Sequence, residues 1–232
     1  MNALASARLA TAKPTARVAL CGLDAAAEAI LIDIFRQLGI EAAPVVDAAQ
    51  KLQREKYEGI VVRLGEGTES LLDAVRRSAS NHRIVVFAVA NHTREALAYS
   101  RFGINAILLS PIDRSSAFKT LRATRTLLIH ELRRYVRLPV VTAVELRWEG
   151  RIVAAPTIEV SAGGMCVDTE FPFNRSQRLM VRFALPGTTE MNIPAEVCWA
   201  KPADREVGLR FEQNDPQRAL VRRWIDDYLE KD

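Results

Sequence analysis

Three arginines lie close together where the chain passes from a helical pattern to an extended one. Arg133 and Arg137 are four residues apart, Arg134 lies between them, and Pro139 follows. The residue before a proline is biased away from the helical conformation, so a helix is expected to end in this stretch. A guanidinium presents a planar fork of donors that suits a phosphate or the edge of guanine, and its face can stack on a base.

A second stretch with suitable chemistry is a turn of small residues inside a β-patterned region. Glu159 and Ser161 stand at its entrance, and Gly163 and Gly164 follow. A serine hydroxyl can donate to a phosphate oxygen, and a carboxylate can accept hydrogen bonds from the Watson–Crick donors of guanine. Glycines allow a backbone to approach closely or to adopt positive φ.

Both stretches also have structural interpretations, which stay open at this point. Arginines complement the dipole at the C-terminal end of a helix, so the three arginines can be a solvated helix end. The two glycines can form an ordinary β-turn capped by Ser161. Spacing alone decides little, because the chain holds further arginine pairs four residues apart. These pairs are Arg147/Arg151, Arg178/Arg182 and Arg218/Arg222.

The first pair differs from the others because the glycine turn follows it about two dozen residues later. RxxxR followed by [D/N]xSxxG is the signature of the PilZ domain, which this part of the chain resembles. Cys198-Trp199 and residues 207–211 continue the strand pattern in the manner of that family. Glu159 departs from the signature, which has Asp or Asn at this position. A glutamate reaches one methylene further and has more rotamer freedom to lose.

PilZ domains bind the bacterial second messenger cyclic di-GMP, so the resemblance implies a ligand site without catalysis. The residues implied for that site are Arg133, Arg134, Arg137, Glu159, Ser161, Gly163 and Gly164. We expect Arg133 and Arg137 to lie in a linker that no barrel packing fixes, from which they wrap the ligand against the barrel wall. No cofactor or metal is expected besides this ligand.

The first half of the chain alternates short apolar strands with amphipathic helices. Five strands are predicted, near residues 18–21, 41–46, 59–64, 84–90 and 105–109. Strands separated by helices predict a doubly wound parallel sheet with helices on both faces. Residues 103–111 are similar to the GADDYLTKP segment of response-regulator receivers, so residues 17–112 resemble a receiver domain.

The phosphotransfer chemistry of a receiver is missing from this sequence. A receiver needs an acid pair for Mg²⁺, an aspartate that accepts phosphate, a hydroxyl and a lysine. Asp24 comes one position too late for the acid pair, and Arg63 occupies the position of the phosphate acceptor. The other positions hold Gly22, Leu23, Ala88 and Ser110. We therefore interpret residues 17–112 as a pseudo-receiver, kept for its shape and surfaces.

A long helix and a change of period divide the chain. The apolar stripe of the helix is expected to pack on its own domain, with a homodimer seam as the alternative. After Pro139, six β-patterned segments in about 75 residues predict a small antiparallel barrel followed by a terminal helix. The predicted organisation is α/β plus all-β: a flexible tail (1–16), the pseudo-receiver (17–112), the connecting helix (113–132) and a PilZ-like domain (133–232).

Composition and charge limit the remaining function classes. The net charge of +4 comes from arginines dispersed among 28 acidic residues, unlike the dense basic stripe of a DNA-binding protein. Three cysteines without a C-x-x-C pair and three isolated histidines argue against a disulfide, redox or zinc function. No apolar run reaches membrane-spanning length, and residues 1–13 lack the apolar core of a signal peptide, so a cytoplasmic protein is expected.

The sequence thus predicts a non-enzymatic cyclic di-GMP receptor or adaptor. Ligand binding would order the arginine linker, change the angle between the domains, and expose or hide a docking surface for an unidentified protein partner. The alternative is a ligand-independent interaction module in which Glu159 marks a lost nucleotide site. A phosphorylated response regulator is disfavoured by Arg63.

Overall fold

The computed structural model describes residues 8–9 and 14–230 of the 232-residue chain. These residues form two compact units. One consists of Thr15–Arg134, and the other begins at Tyr135 and includes the short strand β1 (Arg8–Leu9). Each unit has its own apolar core, as expected for separate domains.

The first unit alternates strands and helices in the order that the hydrophobic pattern predicts. Its elements are β2 (Arg17–Cys21), α1 (Ala25–Gln37), β3 (Glu41–Pro44), α2 (Ala48–Arg54), β4 (Gly59–Arg63), α3 (Thr68–Arg77), β5 (Val85–Ala90), α4 (Thr93–Leu97), a 3₁₀ turn (Ser100–Phe102), β6 (Ile104–Leu109) and α5 (Arg114–Tyr135).

The five strands of this unit form one parallel sheet in the order β3-β2-β4-β5-β6. This is the flavodoxin-like order that receiver domains share. Every residue of β5 is buried, as expected for a parallel strand covered on both faces. One apolar core lies between the sheet and helices α1 and α5, and the other involves α2 and α3. The predicted receiver-like fold is therefore confirmed.

Helix α5 runs from the parallel sheet to the three arginines Arg133, Arg134 and Arg137. It begins after Asp113, whose carboxylate accepts a hydrogen bond from the backbone N–H of Ser116 at 2.8 Å. The apolar stripe of the helix packs into the core of its own unit, through Ala117, Leu121, Leu128 and Leu132. The helix continues to Tyr135, three residues beyond the predicted end, so Arg133 and Arg134 are part of its last turn.

The second unit is built from strands with alternating burial and ends in a helix. Its elements are β7 (Val140–Val141), β8 (Ala143–Trp148), β9 (Arg151–Ser161), β10 (Gly164–Asp168), β11 (Arg178–Phe183), β12 (Met191–Lys201), a 3₁₀ turn (Pro202–Asp204), β13 (Glu206–Phe211) and α6 (Gln217–Glu230). Six strands close into an antiparallel barrel in the order β10-β13-β12-β11-β8-β9, which confirms the prediction. The tail predicted over residues 1–16 lies mostly outside the described residues, and its strand β1 pairs with β7.

Inward-facing apolar side chains fill the barrel. Phe183 and Phe211 stack within it, with ring centroids 5.8 Å apart. Helix α6 adds Val221 and Ile225 to this core, whereas Leu220 is 43% exposed. No helix in the described part of the chain is long and apolar enough to cross a membrane.

Candidate functional site

The stretch between α5 and the barrel is fixed by the barrel itself. Val136 and Leu138 are buried in the barrel core, and the backbone of Leu138 exchanges two hydrogen bonds with Val160, at 2.8 and 2.9 Å. Arg137 lies between two inward-facing residues and therefore points outward, as alternate residues of an extended chain do. The prediction that Arg137 lies in a linker that no barrel packing fixes is thus wrong, because the burial of Val136 and Leu138 sets the direction of the arginine side chain.

A β-bulge in β9 turns the acid and the hydroxyl of the second stretch to the outer face. The pairing of β9 with β10 skips Ile158. This extra residue changes the phase of the strand, so that Thr157 is buried before the bulge and Val160 after it. Glu159 and Ser161, on either side of Val160, therefore face outward.

Arg137 and Glu159 join the two stretches in an ion pair. The guanidinium Nη1 lies 2.5 Å from the carboxylate Oε1, with the arginine side chain 58% exposed and the glutamate 31% exposed. An exposed pair of this kind contributes only about 0–1 kcal/mol to stability, so its main effect is to orient the two groups. The carboxylate predicted to face guanine therefore already binds a guanidinium.

Ser161 closes the turn between β9 and β10. Its hydroxyl donates a hydrogen bond to the carbonyl oxygen of Gly164 at 3.1 Å and accepts one from the backbone N–H of Gly163 at 3.4 Å. Ser161 thus caps the turn, as expected if the two glycines form an ordinary β-turn. The direction in which a side chain at Gly163 would project is open, with no atom within 4 Å of a Cβ built there.

Close approach between two strands explains Gly164. A Cβ at this position would lie 1.9 Å from the carbonyl oxygen of Leu209 on the neighbouring strand β13. Neither Gly163 nor Gly164 has a φ in the left-handed region, so positive φ does not explain these glycines. Gly208 on β13 has a similar constraint, because its Cβ would lie 2.2 Å from the ring of Trp199.

These residues border a pocket of about 380 Å³ on the barrel wall. The strand register arranges the outward residues of this part of the barrel wall in two rows across neighbouring strands, and all of them except Cys166 line the pocket. The first row is Glu159, Cys166, Gly208 and Trp199, and the second is Ser161, Gly164 and Arg210. Each row contains a glycine whose Cβ would collide with a neighbouring group, the backbone of Leu209 for Gly164 and the ring of Trp199 for Gly208. Beyond the predicted candidates, the lining consists of Met165, Cys198, Trp199, Gly208, Leu209 and Arg210.

Sequence reasoning missed the far wall of this pocket. The sequence pattern assigns Trp199 and Arg210 only to strands. A second bulge, at Cys198 in β12, shifts the pairing so that Trp199 lies opposite Gly208. A bulge has little local sequence signal, but an isolated glycine in a strand, such as Gly208, does indicate close approach.

The pocket carries a small excess of positive charge. Its charged lining residues are Arg137, Arg210 and Glu159, which gives a net charge of +1. This balance suits an anionic ligand. Burial raises the pKa of the Cys166 thiol, opposite Glu159 in the register, to about 11, so this thiol stays protonated at neutral pH.

The remaining two candidates belong to the other unit. Arg133 and Arg134 lie in the last turn of α5. Nε of Arg134 lies 3.5 Å from Glu131, a buried carboxylate that also pairs with Lys56 at 2.8 Å. The structure therefore gathers five of the seven candidates at one pocket: Arg137, Glu159, Ser161, Gly163 and Gly164.

An arginine occupies the carboxyl edge of the parallel sheet, where a receiver performs phosphotransfer. Arg63 ends β4, and its guanidinium donates hydrogen bonds to Ser110 Oγ at 3.1 Å and to Asn91 Oδ1 at 3.3 Å. Asp24 caps α1 by accepting a hydrogen bond from the N–H of Ala27 at 2.8 Å. A cation thus takes the place of the phosphate acceptor, and the nearby acid serves the fold.

The family model of the PilZ domain matches residues 131–230. These residues form a PilZ domain. The match begins in the last turn of α5 and continues through the barrel to the end of α6, so it contains both signature stretches. PilZ domains are a family of cyclic di-GMP receptors and are not enzymes. A search of curated proteins found no match.

Several solved structures are similar to part of the chain. A sensor protein from Polaromonas sp. JS666 is 25% identical, with 49% of this chain and 99% of that chain covered and a TM-score of 0.41. The chemotaxis response regulator CheY4 of Vibrio cholerae is 15% identical, with 47% and 98% covered and a TM-score of 0.43. The inhibitor of motility MotI/DgrA of Bacillus subtilis is 18% identical, with 41% and 50% covered and a TM-score of 0.36.

We expect the receiver-like unit not to accept phosphate from acetyl phosphate. Arg63 places a cation where the acceptor aspartate of a receiver would stand, and Asp24 is engaged in a helix cap. Incubation of the full chain with labelled acetyl phosphate and Mg²⁺ measures the incorporation, with an active receiver domain as the positive control. A stable acyl-phosphate on the wild-type chain would contradict the pseudo-receiver interpretation.

Gly164→Ala is expected to lower the free energy of unfolding by about 1–3 kcal/mol, the usual cost of overpacking. The added Cβ would collide with the backbone carbonyl of Leu209, which cannot rotate away as a side chain can. Chemical denaturation measures the effect. Gly163→Ala is the matched control in the same turn, and its Cβ meets open space. Equal stability of the two variants would show that β10 and β13 separate readily.

Proposed function

We propose that the chain is a non-enzymatic receptor or adaptor for cyclic di-GMP. The observation that supports this most strongly is the meeting of both signature stretches at one pocket, where Arg137 pairs with Glu159. The net positive lining suits a ligand that carries two phosphates. Cyclic di-GMP is a bacterial messenger, so the proposed setting is the bacterial cytoplasm.

The size of the pocket bears on how much of the ligand it holds. At about 380 Å³ it is near the lower end of small-molecule sites, which span roughly 300–1,000 Å³. Cyclic di-GMP has two guanines and two phosphates, so the pocket suits one part of it. In this proposal Arg133 and Arg134 supply further contacts, as the family signature implies.

Arg137 is the proposed central contact within the pocket. Its guanidinium can pair with the edge of guanine or with a phosphate, and a good bidentate contact to guanine contributes about 1–3 kcal/mol. Glu159 holds this guanidinium at 2.5 Å and so orients it toward the pocket. The role proposed for Glu159 is therefore twofold: it positions Arg137, and it supplies an acceptor for the guanine donors.

The signature arginines lie on both sides of the join between the two units, and this supports a coupling role for the ligand. Arg133 and Arg134 belong to the first unit, and Arg137 belongs to the barrel unit. A ligand held by both sets would favour one arrangement of the units over others. We propose that this shift exposes or hides a docking surface for a protein partner, which can be a second copy of the chain.

A ligand-independent interaction module is the second candidate. The observation in its favour is the ion pair of Glu159 with Arg137, which already neutralises a charge that a ligand would otherwise meet. Calorimetric titration of the full chain with cyclic di-GMP separates the two functions. A saturable isotherm supports the receptor, and no binding at high micromolar ligand favours the interaction module.

Arg133→Ala and Arg137→Ala are each expected to weaken cyclic di-GMP binding. The loss of one good guanidinium contact, about 1–3 kcal/mol, corresponds to a fall in affinity of about five- to a hundred-fold. Calorimetry measures the affinity. Thermal unfolding without ligand is expected to change little for Arg137→Ala, because that side chain is largely exposed.

Arg151 and Arg222 provide matched controls for these substitutions. Both are exposed arginines away from the pocket, on β9 and α6, and each Ala variant removes the same charge. Long-range electrostatics alone would weaken binding by a similar, salt-sensitive amount in all four variants. Equal losses would point to a diffuse basic surface and remove the basis for a PilZ-type pocket.

Substitution at position 159 tests the role of the carboxylate. Glu159→Asp restores the family residue and is expected to bind cyclic di-GMP at least as tightly as the wild type. Glu159→Ala is expected to bind less tightly, because a guanine donor and Arg137 both lose their acceptor. Calorimetric affinities that match the wild type for both variants would mean that this carboxylate neither touches the base nor orients the arginine productively.

A further inference from the structure

Arg210 borders the same pocket from two strands beyond β9. Its neighbours in β13, Leu209 and Phe211, are buried in the barrel core, so Arg210 faces outward. In the register it lies opposite Gly164, the last glycine of the signature.

A carboxylate holds Arg210 without itself lining this pocket. Oε2 of Glu196, on the adjacent strand β12, accepts a hydrogen bond from Nη2 of Arg210 at 3.1 Å. This hydrogen bond raises the pKa of Arg210 above its ordinary value, so the guanidinium stays charged. The arrangement repeats that of Arg137 with Glu159. Two guanidiniums thus line the pocket, and each is held by one carboxylate.

Arg210 also borders a second, larger concavity of about 920 Å³ on the barrel. Arg210 and Gly163 line both concavities, so the two adjoin at these residues. The smaller concavity suits only part of a molecule with two bases and two phosphates. The rest of such a ligand can extend past the junction, where Arg210 is the shared cation.

We propose that Arg210 binds a phosphate of the cyclic dinucleotide at this junction and that Glu196 positions it. The contact rests on the proposed receptor function and adds to it a residue outside both signature stretches. The phosphate would accept hydrogen bonds from further N–H groups of Arg210, since a guanidinium has five N–H groups and one of them donates to Glu196. No backbone rearrangement is needed, because 63% of the arginine side chain is already exposed.

The test is a calorimetric titration of the full chain with cyclic di-GMP, for the wild type, Arg210→Ala and Arg182→Ala. Arg182 is the control, because it is an outward arginine on β11 that pairs with carboxylates, Glu190 at 2.6 Å and Glu145 at 3.5 Å, and lines neither concavity. We expect Arg210→Ala to lower the affinity about ten- to a hundred-fold, the range for a hydrogen bond to a charged group. Arg182→Ala should stay within about two-fold of the wild type, as expected for a screened charge away from the ligand.

Each result has a separate meaning. If the wild type binds and the two variants match each other, Arg210 is not a ligand contact, and the receptor function stands without it. If the wild type fails to bind, both the receptor function and this contact are overturned. Thermal unfolding of both variants without ligand accompanies the titration. Affinity lost at Arg210 with an unchanged unfolding temperature supports a contact, whereas a loss that follows a lowered unfolding temperature assigns Arg210 to the fold.

Discussion

The backbone bridge between Leu138 and Val160 is the constraint on which the barrel site depends. Its two hydrogen bonds attach the segment between α5 and the barrel to β9. Val136 and Leu138, on either side of Arg137, are buried in the barrel core. Buried backbone N–H and C=O groups must find hydrogen-bond partners. This bridge supplies partners for the backbone of Leu138 and also fixes the direction of the segment. Arg137 then points to the outer face of the barrel, where it pairs with Glu159. Backbone pairing and apolar neighbours therefore set the positions of the side chains that the signature names.

Departures from a regular sheet form the rest of the pocket. A regular barrel wall presents one outward side chain at every second position, which leaves little space for a ligand. Here the bulges at Ile158 and Cys198 change the phase of β9 and β12, while Gly164 and Gly208 let the backbone of Leu209 and the ring of Trp199 approach closely. These exceptions lie in four neighbouring strands. Together they form the concavity, which no single position in the sequence indicates.

The fold could be predicted because its main signal is local. Apolar strands alternating with helices, followed by a change to period two, indicate both units before any tertiary contact is known. Arg137 and Glu159 could be named from the resemblance of their two stretches to the PilZ signature, but their ion pair could not, because it depends on strand pairing between residues distant in the sequence. Trp199 and Arg210 were out of reach for a similar reason. Their positions follow from cross-strand register, which a bulge alters without a dependable sequence mark.

The cation at the end of β4 has a consequence for timing. A receiver that is phosphorylated stores its signal in a covalent bond, and the stored signal lasts until that bond is hydrolysed. Arg63 is tied to Ser110 and Asn91 at the corresponding edge and offers no such bond. Under the proposed receptor function, the signal would last only while the ligand stays bound. Its duration would then be set by the dissociation rate of the ligand, because bound ligand is lost at that rate after the concentration of the messenger falls.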